Sequence, residues 1–196
     1  MAKILGIMGD IGSGKSFIAR QFGFPVFDAD KEVNLIYKKN NSCFKKLKNK
    51  LPEYIKTYPV DKKQLSEAIL ASTSNIKKIA NIIHPLVRKK MNIFLKKNIK
   101  KKIVVLDVPL LIENNLNKKN YILIFVEAKK KEVNIRLKKR LNYNKKIIEK
   151  LRKIQKPLRY KKKISKHTIK NNFKLSTIKK RVNIIKKKIL NERSSS

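Results

Sequence analysis

The sequence has few of the residues that define several common classes of protein. Its 196 residues include one cysteine, Cys43, and no tryptophan, and aromatic residues make up only 7% of the chain. A single cysteine excludes an internal disulfide and a thiolate metal cluster. No run of 18 apolar residues occurs, which argues against a membrane-spanning helix. The apolar N-terminal run leads directly into a glycine-rich loop, so we interpret it as a first strand and not as a signal peptide. We therefore expect an enzyme of a reducing, cytoplasmic compartment.

Acidic residues are also scarce. The chain has 13 Asp and Glu against 52 Lys and Arg, which gives a formal net charge of +39. Such a charge attracts anionic ligands, nucleotides among them. The lysines are spread along the chain and no recognisable RNA-binding or DNA-binding module accompanies them. We therefore interpret most of them as solvent-exposed side chains and expect no nucleic-acid partner, although a nucleic-acid footprint is the alternative explanation of the charge.

Short apolar runs alternate with helical segments over most of the chain, which is long enough for one domain. We predict strands at Lys3–Met8, Pro25–Asp28, Ile103–Val108, Tyr121–Glu127 and His167–Lys170. We predict helices at Lys15–Phe22, Lys31–Lys39, Lys129–Leu141, Lys145–Lys156 and Leu175–Leu190, and a loose end at Ser194–Ser196. This alternation predicts an α/β fold with a parallel sheet flanked by helices. The stretch at about 42–101 is helical almost throughout, and we interpret it as a helical insertion that binds a second substrate.

The strongest motif is GDIGSGKS at residues 9–16. It matches G-x-x-x-x-G-K-[ST] in full, with a predicted strand before it and a helix after it. The glycines let backbone N–H groups wrap around phosphates, and the helix N-terminus adds a favourable dipole. Lys15 can reach the β and γ phosphates, and the Ser16 hydroxyl can bind Mg²⁺. The other candidate phosphate-binding residues are Ile11, Gly12, Ser13 and Gly14. The motif predicts binding of a nucleoside triphosphate, and the absence of an N-K-x-D motif argues against a GTPase.

Carboxylates follow two of the predicted strands, at the edge of an α/β sheet where ligands bind. Asp30 is the candidate base or orienting group for an attacking hydroxyl, while Asp28 is better suited to capping the next helix. Asp107 ends the run IVVLD, where it could hold Mg²⁺ or be a turn residue at the strand end. Leu110 and Glu113 follow it and are candidate substrate-binding residues, although Glu113 could instead be an acid on a helix surface.

Two pairs of basic residues have helical spacing. His84 and Arg88 are four residues apart, so they could face one anionic substrate together. Arg136 and Arg140 have the same spacing in a later predicted helix. The planar guanidinium group of arginine carries N–H donors whose fixed geometry matches phosphate oxygens. We interpret this second pair as part of a lid at about 129–160 that clamps the transferred phosphoryl group. A solvated basic face is the alternative.

These segments together resemble the dephospho-CoA kinase family over nearly the whole chain. The resemblance is carried by GDIGSGKS (9–16), FPVFDAD (24–30), IHPLVR (83–88), VVLDVPLLIEN (104–114), the segment with Arg136 and Arg140, Gln155, and IKNN (169–172). It implies a P-loop kinase core with a helical CoA-binding domain and a lid. It also implies phosphorylation of the ribose 3′-hydroxyl of dephospho-CoA by ATP with Mg²⁺, the last step of coenzyme A synthesis.

The resemblance also implies roles for the matched residues, beside those of the phosphate loop. Asp30 would be the base and Arg140 the arginine of the lid. His84 and Arg88 would lie in the acceptor-side domain, and Asn171 would lie near the adenine.

Four features depart from the pattern of that family, and they bear on the adenine-side contacts more than on the chemistry. Asp10 stands where a second loop glycine is common, the loop between the first helix and the DAD strand is short, Lys166–His167 replaces an acidic residue, and Phe173 stands where glycine is common. Two alternative functions remain: a P-loop kinase for a nucleoside, nucleotide or shikimate-like acceptor, and a basic nucleic-acid-binding ATPase whose hydrolysis RNA would stimulate.

Overall fold

The strands of the protein form one sheet in the computed structural model, which describes residues 2–118, 120–141 and 143–192. The predicted loose end at Ser194–Ser196 lies outside these residues. The strands are β1 Lys3–Gly9, β2 Val26–Asp28, β3 Ile103–Asp107, β4 Tyr121–Ala128 and β5 His167–Asn171. Their order is β2-β3-β1-β4-β5, and the pairs β1–β3, β1–β4 and β4–β5 are parallel. The predicted α/β fold with a parallel sheet is therefore confirmed.

The five helices predicted outside the stretch at about 42–101 are all present in the described residues, with somewhat different bounds. They are α1 Lys15–Gln21, α2 Ala29–Lys39, α3 Asn41–Lys50, α4 Lys62–Ala71, α5 Thr73–Lys97, α6 Lys130–Lys138, α7 Lys145–Lys153, α8 Leu158–Lys163 and α9 Leu175–Asn191. The prediction missed α8 and extended both α6 and α7 too far. Pro85 lies inside α5, which continues through it. No helix in the described residues is long and apolar enough to span a membrane.

The core follows from the continuous apolar runs of the strands. All five residues of β3 are buried, as expected for a parallel strand that is covered on both faces. Helices α1 and α9 supply the side chains that pack on the sheet. Fully buried members of this cluster include Leu5, Ile7, Ile18, Phe22, Ile103, Val105, Ile124, Val182 and Ile189.

The described residues group into two compact units. The first unit takes those in Met1–Phe27, Asn98–Tyr143 and Gln155–Ser196, and it contains the sheet. The second takes Asp28–Lys97 and Asn144–Ile154, which carry α2 to α5 and α7. Within the second unit, Lys150 Nζ donates to the carbonyl oxygens of Ile69 and Leu70 at 3.0 and 2.6 Å. These carbonyls belong to the last turn of α4, where backbone carbonyls lack partners within the helix. The two hydrogen bonds of Lys150 therefore connect α7 to the end of α4.

Candidate active site

The loop between β1 and α1 has a shape that requires glycine at two positions. The Ser13 N–H donates to the Asp10 carbonyl at 3.1 Å and closes the turn. Gly12 and Gly14 have φ values of 83° and 88°, in the left-handed region that L side chains rarely adopt. A Cβ on Gly12 would also lie 2.8 Å from Leu137 Cγ of α6. Glycine at both positions permits the backbone turn, and glycine at position 12 also permits the close packing of α6 on the loop.

Lys15 lies over the beginning of this loop. It is only 9% exposed, and its Nζ donates to the carbonyl oxygens of Gly9 at 3.2 Å and Asp10 at 2.7 Å. The Ser13 hydroxyl is buried in the same loop, and its oxygen has no hydrogen-bond partner among the described residues. A buried polar atom without a partner is costly. An ammonium and a buried hydroxyl at a turn of this shape suit the oxygens of a phosphate chain.

Asp10 contributes a carboxylate to the loop. Its Oδ1 accepts the N–H of Ile11 at 2.7 Å. The side chain thereby fixes the first turn of the loop at the position where the resembled family commonly has glycine.

Asn171 joins the end of β5 to the phosphate loop. It is 4% exposed, its Nδ2 donates to the Ser13 carbonyl at 2.7 Å, and its Oδ1 accepts the Phe173 N–H at 2.8 Å. A Cβ on Gly14 would collide with the Asn171 amide. The structure therefore brings this predicted nucleotide-binding residue into direct contact with the loop.

Asp107 lies at the same edge of the sheet as the loop. It is the last residue of β3 and pairs in register with Ile7, while β1 continues to Gly9 where the motif begins. Asp107 is 4% exposed. Ser16, the other candidate Mg²⁺ ligand, follows Lys15 in α1.

The two aspartates after β2 differ in their surroundings. Asp28 Oδ1 accepts the Lys31 N–H at 3.0 Å and caps α2, so its predicted role as a helix cap is confirmed. Asp30 is an exposed residue in the first turn of the same helix. The carboxylate chosen as base is therefore accessible, and its catalytic role remains a prediction.

His84 and Arg88 line one cavity of the second unit. The cavity has a volume of about 530 Å³, and its wall is formed by His84, Pro85, Arg88, Lys89, Asn92, Ile93 and Lys96, all of α5. The pKa of His84 is lowered from its ordinary value by burial and, secondarily, by the neighbouring Arg88 charge. His84 is therefore neutral at pH 7, and the cavity is positively charged through Arg88 and the two lysines. Such a surface suits an anionic ligand.

The prediction that Arg136 and Arg140 share one helix is wrong. Helix α6 ends at Lys138, and Lys139 is its C-cap. Arg140 lies beyond the helix in a bend, where its N–H donates to the Leu137 carbonyl at 3.1 Å. Arg136 instead lies with its guanidinium carbon 4.5 Å from the centre of the Phe173 ring. The two arginines therefore have different surroundings and cannot be assigned one joint role from their spacing.

Comparison with known proteins decides the family. The sequence profile of the family described as Dephospho-CoA kinase matches residues 3–177. The chain belongs to the dephospho-CoA kinase family. It is 34% identical to the dephospho-CoA kinase of Wolbachia sp. subsp. Brugia malayi over 171 residues, which are 85% of this chain and 87% of that protein. The chain therefore has dephospho-CoA kinase activity, which is the last step of coenzyme A biosynthesis, and it is an ATP-using phosphotransferase.

Solved structures agree with the fold of this kinase. A protein of Thermus thermophilus superposes with a TM-score of 0.78 at 24% identity, covering 97% of this chain and 99% of that chain. A dephospho-CoA kinase of Campylobacter jejuni gives a TM-score of 0.65 at 20% identity, covering 96% and 98%.

Glu113 of the kinase lies in a buried ion pair that the sequence did not predict. Its Oε1 lies 2.7 Å from Lys161 Nζ, and the two side chains are 8% and 1% exposed. Lys161 also donates to Gln155 Oε1 at 3.0 Å, and the Lys156 N–H donates to Glu113 Oε1 at 3.0 Å. The alternative of an acid on a helix surface is therefore wrong, because Glu113 is buried in a turn. Leu110 lies in the same turn and is half-buried.

Proposed function

We propose that this kinase transfers the γ-phosphoryl group of ATP to the ribose 3′-hydroxyl of dephospho-CoA through the loop at residues 9–16 and the carboxylate of Asp30. The observation that carries the proposal is the phosphate loop, whose turn requires glycine at positions 12 and 14 and whose first carbonyls bind the buried Lys15 ammonium. The chain that contains this loop belongs to the dephospho-CoA kinase family. A loop of this kind presents backbone N–H groups, a dipole and a cation to a triphosphate. We assign the backbone of Ile11, Gly12, Ser13 and Gly14 to the phosphates.

In the transfer step, the 3′-oxygen attacks the γ-phosphorus while the bond from that phosphorus to the β–γ bridging oxygen breaks. ADP leaves with the bridging oxygen, and the hydroxyl proton passes to the carboxylate of Asp30. Lys15 and Arg140 stabilise the negative charge that spreads over the transferred group. Little covalent chemistry falls to the protein, so positioning and electrostatic stabilisation supply most of the rate.

Mg²⁺ would be held by the Ser16 hydroxyl and the Asp107 carboxylate, together with phosphate oxygens. Oxygen ligands are those that this ion prefers, and it commonly takes only one or two from the protein. The donors fit, because Asp107 is a buried carboxylate at the loop edge of the sheet. The described residues contain no group of three or more His, Cys, Asp or Glu that could hold a metal by itself. When bound, the ion neutralises charge on the β and γ oxygens.

The acceptor is assigned to the second unit, and Leu110 and Glu113 remain predicted substrate-binding residues. Arg88 supplies positive charge in the α5 cavity, and the neutral imidazole of His84 can donate or accept a hydrogen bond there. The diphosphate of dephospho-CoA is an anionic ligand of the kind that this cavity suits. Asn171, which contacts the loop, is assigned to the nucleotide. A cytoplasmic location fits a biosynthetic enzyme with these substrates.

The test is a coupled assay of ADP release with dephospho-CoA as acceptor. Lys15→Ala and Asp30→Asn should each lower turnover by at least about tenfold, which corresponds to about 1.4 kcal/mol of barrier. Asp28→Asn is the matched control, because asparagine caps a helix as well as aspartate does, and its turnover should be unchanged. An Asp30→Asn enzyme with full turnover would remove the base assignment. Product from another acceptor, with none from dephospho-CoA, would overturn the proposed function.

A further inference from the structure

Asp10 occupies a backbone N–H group that the proposed site needs for a phosphate. Its Oδ1 accepts the Ile11 N–H at 2.7 Å, and Ile11 is one of the residues whose backbone is assigned to the triphosphate. The distance is that of a charge-assisted hydrogen bond. Both residues are half-buried, so the contact is partly shielded from water. A carboxylate of the chain itself therefore holds the position of a phosphate oxygen.

The same residue also contacts the ammonium group of the loop. The Asp10 carbonyl oxygen accepts a hydrogen bond from Lys15 Nζ at 2.7 Å. Asp10 thus contacts two of the groups assigned to the triphosphate, one through its side chain and one through its backbone. The chain has only 13 acidic residues, and the phosphate-binding motif does not require one at this position. The negative charge is therefore an added feature of this loop.

One N–H group cannot serve the carboxylate and a phosphate equally. A phosphate oxygen that accepts the Ile11 N–H would lie about 2.9 Å from that nitrogen, which is the place that Asp10 Oδ1 holds. Binding of the phosphate there requires the carboxylate to leave. The carboxylate stays close, because it is attached to the loop backbone, and its charge then repels the phosphates.

We propose that the Asp10 carboxylate competes with the nucleotide for the Ile11 N–H, and that its charge makes the site favour ATP complexed with Mg²⁺ over metal-free ATP. This inference rests on the proposed triphosphate site. Mg²⁺ neutralises charge on the β and γ oxygens, so the complex is repelled less by Asp10 than metal-free ATP is. A repulsive group of this kind produces specificity by weakening one ligand more than another.

The test measures ATP binding by calorimetry without acceptor, once with Mg²⁺ and once with a chelator. Asp10→Gly removes both the hydrogen bond and the charge. It should tighten binding of the Mg²⁺ complex by at least about tenfold, because a hydrogen bond to a charged group no longer has to be broken. Asp10→Asn keeps an oxygen for the Ile11 N–H and removes only the charge. Its gain should be at least about threefold larger for metal-free ATP than for the Mg²⁺ complex.

The matched control is Glu67→Gln, which removes one negative charge outside the loop, from an exposed residue of α4. Its binding of both forms should stay within about twofold of the wild type, because salt screens exposed charges. An equal gain in Glu67→Gln and Asp10→Asn would mean that net charge alone sets the affinity, which would overturn the proposal.

Three results for the Asp10 variants would also overturn it. They are unchanged or weaker ATP binding in Asp10→Gly, equal gains for the two forms of ATP in Asp10→Asn, and weaker binding of the Mg²⁺ complex in Asp10→Asn, which would make Asp10 a ligand of the ion. Asp10→Asn has nearly the shape of the wild type, so it decides the matter even where Asp10→Gly does not fold.

Lys15→Ala separates this inference from the proposed function. Loss of ATP binding in Lys15→Ala, with unchanged binding in both Asp10 variants, would overturn the competition and leave the triphosphate site intact. Full ATP binding in Lys15→Ala would overturn both. Because the acceptor is absent, an incorrect Asp30 assignment does not affect these measurements.

Discussion

Replacing Lys161 by methionine should destabilise the fold by about 3 kcal/mol, because it leaves the Glu113 carboxylate buried without its cation. Removing one partner of a buried ion pair costs about 3–5 kcal/mol. The lower end applies here, because the Lys156 N–H still donates to Glu113 Oε1 at 3.0 Å. The side chains are 1% and 8% exposed, so solvent screens the pair little. A loss of this size is a large fraction of the stability of an ordinary domain.

The adjacent residue provides a matched control. Lys162 Nζ lies 2.7 Å from Glu127 Oε1, the same separation as in the buried pair, but these side chains are 49% and 36% exposed. Lys162→Met should therefore change stability by less than about 1 kcal/mol. The assay is urea unfolding followed by circular dichroism.

A double variant tests the reasoning further. Lys161→Met with Glu113→Leu removes both charges, so the combined loss should be well below the sum of the two single losses. Equal effects of Lys161→Met and Lys162→Met, or strictly additive losses in the double variant, would refute the claim that burial makes this pair important.

Three further predictions concern the loop, the two half-buried histidines and the buried cysteine. Gly12→Ala should lower stability by about 2 kcal/mol or more in urea unfolding, since it combines left-handed strain with a collision at Leu137; an unchanged midpoint would contradict this. His84 and His167 both have a pKa lowered from the ordinary value, first by burial. The unfolded chain therefore takes up protons first, and stability should fall as the pH drops below about 6.5; replacing both histidines by glutamine should remove this component. Burial raises the pKa of the Cys43 thiol to about 11, so iodoacetamide at pH 8 should label the native protein far more slowly than the unfolded chain, and equal rates would contradict the burial.

Strands β1, β3 and β4 could be predicted because each is mainly an apolar run, and recognisable residues follow the first two. Pro109 follows β3 and the glycine loop follows β1, so both ends were marked in the sequence. The phosphate loop was predictable for a different reason, since its glycines serve a backbone geometry that few other residues permit. Register then placed Asp107 at the loop edge, as expected for a parallel sheet.

The missed features depend on tertiary contacts that local patterns do not encode. Helix α8 is LRYKKK, which has no apolar periodicity. Lys161 within it is buried by its surroundings and is indistinguishable in sequence from its lysine neighbours. The sequence predicts Arg140 in a helix because no glycine or proline ends the pattern there. Phe173, whose φ is 60°, carried a signal, since a position where glycine is common is one where a left-handed conformation is expected.

The most direct test of the account is to identify the product by mass spectrometry and ³¹P NMR after the purified chain is incubated with ATP, Mg²⁺ and dephospho-CoA. The account predicts coenzyme A, with one added phosphate on the ribose 3′-oxygen and one ADP formed for each molecule, and product formation at least about tenfold slower with Lys15→Ala. Phosphate on any other oxygen, or product formation by Lys15→Ala at the wild-type rate, would contradict it.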